Sequence, residues 1–88
     1  MEIVLLPQAE EDLLYWQKKG ESRILKRIRV LLADILEHPF SGIGKPEALK
    51  GEHGKWSRRI TDEHRLIYSI SNGKVYVYVF SLRYHYST

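Results

Sequence analysis

The chain has 88 residues, 43% hydrophobic and 28% charged, which suits one small globular domain (1–88) with a thin core rather than a disordered segment. It contains no cysteine, which excludes a disulfide scaffold, a cysteine nucleophile and zinc sites built on thiolates. The net charge is +3 and the pI near 9.3, unevenly spread: residues 1–40 carry six basic and seven acidic side chains, residues 41–88 eight and four. That bias is compatible with a polyanionic partner such as RNA, although many small basic domains bind none.

No apolar run approaches the roughly 18 residues that a membrane helix requires. The start, Met1-Glu2-Ile3-Val4-Leu5-Leu6-Pro7, lacks the basic region and long apolar core of a signal peptide. The expectation is a soluble cytoplasmic protein without a membrane partner.

Glu2 to Leu6 reads as a short strand. Pro7 suits the first turn of a helix, where its missing N–H costs nothing, and Glu10, Glu11 and Asp12 favour the positive end of the helix dipole. Ala9, Leu13 and Trp16 recur at helical spacing, and Gly20 is a natural stop. A second helix is predicted from about Ser22 to about Glu37, with Ile24, Leu25, Ile28, Leu31, Leu32, Ile35 and Leu36 as its core stripe. Arg23, Lys26, Arg27, Arg29 and Asp34 lie mostly off that stripe. Residues 39–55 hold two prolines and four glycines and read as a loop with one short ordered turn, long enough in so small a domain to suggest function.

The remainder predicts three strands: Trp56–Thr61, Arg65–Ser71 and Lys74–Leu82. Asn72-Gly73 is a strong hairpin signal, and a two-residue turn there sets Ile70 against Val75, Tyr68 against Val77 and Leu66 against Val79. That face is apolar and is the one the helices should cover. With Asp62-Glu63-His64 as a three-residue turn, Trp56 and Ile60 join the core face, and Arg58 points to its edge. Arg59, Thr61, Arg65, Ile67, Tyr76, Tyr78 and Phe80 fall on the other face. Arginines and aromatic rings there could hold phosphates and stack on unpaired bases. The same alternation also describes an ordinary half-solvated sheet face.

Three regions carry groups suited to phosphodiester cleavage: Glu47 in the loop, Arg65 in the middle strand, and Arg83, Tyr84, His85 and Tyr86 at the end. RNA can be cut without a metal when a base deprotonates the ribose 2′-OH, an acid protonates the departing 5′ oxygen and a cation stabilises the charge between. Histidine and glutamate suit the proton transfers, and arginine, which keeps its proton, suits charge stabilisation. Each residue also has a plain surface reading, and the residues alone lead no further than an RNA-binding domain with candidate catalytic groups. The histidines at 38, 53, 64 and 85 include no helical i, i+4 pair, so neither a metal site nor a cofactor is expected.

Four blocks nevertheless resemble one family. Leu14-Tyr15-Trp16-Gln17, then Pro39-Phe40-x-Gly42-x-Gly44-Lys45-Pro46-Glu47-x-Leu49-Lys50, then Trp56-Ser57-Arg58-Arg59-Ile60-Thr61-x-Glu63-His64-Arg65-Leu66-x-Tyr68, and finally Arg83-Tyr84-His85-Tyr86 are similar to the YoeB/Txe toxins of the RelE/ParE superfamily. The resemblance implies an α+β fold, with two N-terminal helices packed on one face of a small twisted, mainly antiparallel sheet. It implies a toxin of a type II toxin–antitoxin system that cuts messenger RNA in the A site of the 70S ribosome. It also implies a YefM/Phd-like antitoxin and a homodimer.

By the same resemblance Glu47 matches the general base, Arg65 the transition-state arginine, His85 the general acid and Tyr86 a tyrosine that shapes the site. Lys50 and Arg59 match substrate contacts, and Lys45 and Arg83 are further candidates for phosphate binding. The chain departs from the family in adding Ser87 and Thr88 after the terminal tyrosine and in a slightly short segment between Lys50 and Trp56. Two other readings stand beside the nuclease: a ParE-like gyrase inhibitor that cuts nothing, and a non-toxic RNA-binding module.

Overall fold

A computed structural model describes residues 2–71 and 76–83, with the backbone alone for 76–78. In chain order the elements are β1 (Glu2–Leu5), α1 (Pro7–Lys19), α2 (Ser22–Glu37), β2 (Glu47–Ala48), β3 (Trp56–Arg59), β4 (Arg65–Ile70) and β5 (Tyr76–Ser81). The five strands form one sheet in the order β1-β5-β4-β3-β2. β1 runs parallel to β5 and the other neighbours are antiparallel, giving the α+β architecture expected from the sequence.

Both helices lie where their apolar spacing predicts. Pro7 occupies the first turn of α1, and Gly20 ends it in the left-handed conformation at φ 68°, with its N–H bonded to the Gln17 carbonyl. Ala9 and Trp16 from α1, and Ile28, Leu31 and Ile35 from α2, pack with Ile60, Leu66, Tyr68, Val79 and Leu82 into one core. Asp12, expected to serve the helix dipole, is instead buried. Its carboxylate accepts hydrogen bonds from the Leu82 N–H (2.9 Å) and from Gln8 Nε2 (2.9 Å). Among the described residues no helix is long and apolar enough to cross a membrane.

The sheet register departs from the predicted one by even steps. The Asn72-Gly73 turn lies outside the described residues, but the flanking strands set Tyr68 against Val79 and Ile70 against Val77, two residues beyond the register of that turn. Likewise Arg59 faces Arg65, so residues 60–64 connect β3 to β4 where a three-residue turn was expected. The cause is local: the N–H groups of Ile60 and Thr61 both bond to the His64 carbonyl, and Thr61 Oγ1 accepts from the N–H groups of Glu63 and His64. These bonds take Ile60 and Thr61 out of the ladder. Because side chains alternate with period two, a two-residue slip preserves the faces, and Leu66, Tyr68 and Val79 all stay in the core.

One irregularity does change faces. Tyr68 pairs with Val79 but Ile67 with Ser81, so β5 carries one extra residue at Phe80. The bulge reverses the alternation beyond it, and Leu82, otherwise due on the outer face, is fully buried in the core. The outer face is also less open than the alternation implies: Ile67 is fully buried and Ser57 and Ser81 nearly so. They lie on the interior strands of the sheet, where neighbours on both sides hide more surface than at an edge.

Candidate functional site

The region from His38 to Lys55 contains an element that its composition concealed. Glu47 and Ala48 form the short strand β2, pairing antiparallel with β3 so that Glu47 stands opposite Ser57. Residues paired in register share a face. One transverse row therefore runs Glu47, Ser57, Ile67, Ser81, on the side of the sheet away from the helices. Two residues along the strands on that same face lies the pair Arg59 and Arg65. With strands spaced near 4.8 Å and about 3.4 Å of rise per residue, the Glu47 and Arg65 Cα atoms are on the order of 12 Å apart and those of Glu47 and Arg59 about 8 Å. Long side chains on such positions can converge on one ribose-phosphate unit.

Arg65 is held in place. Its Nη1 donates to the carbonyl oxygens of Thr61 (2.8 Å), Asp62 (2.9 Å) and His64 (3.3 Å). The group bonds to the backbone of Asp62 rather than to its carboxylate, the pairing that a surface role would favour. A guanidinium has five N–H donors, so fixing it from one nitrogen leaves others for an anion. Arg59 is half-buried, and its N–H bonds to the Gly44 carbonyl at 2.7 Å. Lys45 is exposed next to that bond, at φ 52°, and Lys50 is exposed beyond β2. Glu47 is also exposed, with Lys45 and Lys50 near it in sequence and Arg59 one strand away on the same face.

The remaining candidates divide. His85 and Tyr86 lie outside the described residues. Arg83 is half-buried, its guanidinium carbon 3.6 Å from the centre of the Tyr15 ring, so α1 holds it by a cation–π contact. The chain just before it is fixed as well: Trp16 Nε1 donates to the Leu82 carbonyl at 2.9 Å. His64 meets the Trp16 ring edge-to-face at 4.8 Å. Burial pushes its imidazole below the usual histidine value, with Arg83 and Arg65 acting the same way against Glu63 and Asp12.

The sequence reading placed Arg58 awkwardly at the edge of the core, and the structure corrects this. Arg58 is fully buried and all five of its donors are matched. Nε donates to the Tyr68 hydroxyl (3.2 Å), Nη1 to the Asp34 carboxylate and the Ile43 carbonyl (3.1 Å), and Nη2 to the carbonyls of His38 and Ser41 (2.7 Å for Ser41). The Tyr68 hydroxyl donates onward to the Pro39 carbonyl at 2.6 Å. Asp34 also accepts from the Ile43 N–H at 3.1 Å, and its hydrogen bond to Arg58 holds its carboxyl below the ordinary value. A signal for this was present, since a charged residue at a core register position needs a buried partner. The partner's identity depended on how α2 and the loop pack.

A family model described as the YoeB-like toxin of bacterial type II toxin–antitoxin systems matches residues 6–86. The chain is 42% identical to Toxin YoeB of Escherichia coli K12, over 98% of this chain and 100% of that protein. The YoeB dimer from Staphylococcus aureus superposes with a TM-score of 0.87 at 40% identity, covering 98% of each chain. The toxin chain of the YoeB–YefM complex from Staphylococcus aureus gives 0.83 at 41%, covering 96% of this chain and 95% of that one.

Proposed function

This chain belongs to the YoeB-like toxins of bacterial type II toxin–antitoxin systems, and we propose that it acts as a ribosome-dependent endoribonuclease that cuts messenger RNA in the A site. The observation that carries the reading is the grouping of Glu47, Arg59 and Arg65 on the sheet face opposite the helices. Glu47 would take the proton from the ribose 2′-OH, which attacks the adjacent phosphorus. Arg65, preset by the turn carbonyls, would stabilise the charge that develops on the phosphoryl oxygens. His85 would protonate the departing 5′ oxygen, and Tyr86 would shape the site around it. Arg59, Lys45, Lys50 and Arg83 would hold flanking phosphates. The reaction needs no metal or cofactor in this scheme.

The partners follow in kind. A YefM-like antitoxin would bind and silence the toxin in the cytoplasm, and a second copy of the chain could pair with it. The Staphylococcus aureus complex and dimer support both.

The test is primer extension on a defined message programmed into 70S ribosomes, with wild type, Glu47→Ala, Arg65→Ala and His85→Ala. The expected result is a new cut at the A-site codon with wild type, reduced severely in each variant. No cut by folded wild type would overturn the reading and leave a gyrase inhibitor or a plain RNA-binding protein.

A further inference from the structure

We propose that Arg58, together with Asp34, is a positioning residue for the cleavage reaction: the pair clamps the loop from His38 to Ile43 and thereby fixes where β2 delivers Glu47. The inference rests on the nuclease reading above and deepens it. β2 has only two residues and lies at the sheet edge, so its ladder alone is a weak constraint on Glu47. The chain leading into it takes left-handed conformations at Gly42, Gly44 and Lys45, which gives it no helical or strand framework of its own. The Arg59 N–H holds it at the Gly44 carbonyl, and the stretch before that is held by Arg58, reaching through to the carbonyls of His38, Ser41 and Ile43. Asp34 anchors the arrangement to α2 by binding both Arg58 and the Ile43 N–H.

The arrangement is economical in sequence. Three consecutive residues of β3 set the site: Ser57 pairs with Glu47, Arg58 clamps the preceding loop from the opposite face, and Arg59 stands on the catalytic face beside them. A hydrophobic side chain in place of a buried ion pair often stabilises a fold equally well. Packing alone therefore does not account for a charge here, whereas gathering three loop carbonyls requires a planar group with several donors. The loop also fits the clamp closely: a Cβ on Gly42 would lie 2.1 Å from Asp34 Oδ2, and one on Gly44 2.8 Å from Leu31 Cδ2.

The experiment compares single-turnover cleavage on programmed ribosomes by the full-length wild type, Asp34→Asn, Gly42→Ala, Glu47→Ala and the double variant Asp34→Asn/Glu47→Ala. Asp34→Asn should slow cleavage at saturating toxin roughly 10- to 100-fold, the scale of a misplaced reacting group, with half-saturation unchanged. Amide exchange across residues 41–48 should rise while that of β4 stays protected. On the Glu47→Ala background the same substitution should have no further effect, because the clamp acts through Glu47. Gly42→Ala drives a methyl group against the Asp34 carboxylate from the loop and should behave like Asp34→Asn even if the latter folds poorly. Wild-type rates in both clamp variants, or an equal loss with and without Glu47, would overturn the positioning role alone. A wild type that does not cut would remove the nuclease reading and this role with it.

Discussion

Arg65 spends part of its bonding capacity on its own turn. The carbonyls of Thr61, Asp62 and His64 orient the guanidinium, so in the nuclease reading little reorganisation would remain when charge develops on a phosphate. Arg65→Ala is expected to lower single-turnover cleavage about 10²- to 10³-fold, and Arg65→Lys to recover only a small part, since an ammonium cannot span the carbonyls and an anion together. His64 offers a second test at this scale. Its half-buried imidazole titrates below the ordinary 6.5, so between that value and its own lowered one the unfolded chain binds more protons than the folded one. Stability should therefore fall as pH drops through about 6.5 and keep falling until the lowered value is passed. Thermal melts at a series of pH values, with His64→Gln as the non-titrating control, check this. An equal slope in the two proteins would assign the pH dependence elsewhere.

At the scale of elements, the segment between α2 and β3 reads as a loop by composition but behaves as a fitted part. Gly44 takes φ 80° with Leu31, Arg58 and the Arg59 carbonyl close around it. A Gly44→Ala change is expected to cost about 1–3 kcal/mol, read from denaturant unfolding, because both the backbone conformation and the space resist a methyl group. Replacing Arg58 by Met should cost more, about 3–5 kcal/mol, since it leaves Asp34 without its counter-charge and three loop carbonyls without their side-chain donor. The bulge at Phe80 is the counterpart on β5. One extra residue turns the end of that strand inward and hands Leu82 to α1.

Across the whole molecule, the first helix and the last described residues are one unit. Asp12 accepts from the Leu82 N–H, Trp16 donates to the Leu82 carbonyl, and Arg83 stacks on Tyr15, so both backbone groups of Leu82 are satisfied by α1. In the nuclease reading this fixes the root of the segment that carries His85. Trp16→Phe keeps an aromatic ring but loses part of the indole's volume and strands a buried carbonyl; the carbonyl alone is expected to destabilise the fold by about 1–3 kcal/mol, and the lost volume adds to that. The substitution should slow cleavage as well, and unchanged cleavage with a lowered melting point would separate the two effects. The β1–β5 pairing likewise joins the two ends of the described chain, which makes the sheet dependent on contacts far apart in sequence.

Local sequence patterning specified the helices, four of the five strands, the two faces of the sheet and the grouping of Arg59 with Arg65. These follow from short-range periodicity, and a period of two survives an even slip in register, which is why faces were legible when exact partners were not. The blocks around Glu47 and Arg65 also carried the family resemblance. Tertiary structure alone decided the rest. Whether Glu47 lay in an open loop or on a strand depended on pairing with β3. The burial of Arg58 depended on α2 bringing Asp34 to it, and the inward turn of Leu82 on one bulged residue. Asp12 looked like a helix-dipole acid until the far end of the chain supplied an N–H to bind. Each of these is a contact between residues distant in sequence, or a single insertion that reverses an alternation, and neither leaves a local pattern to read.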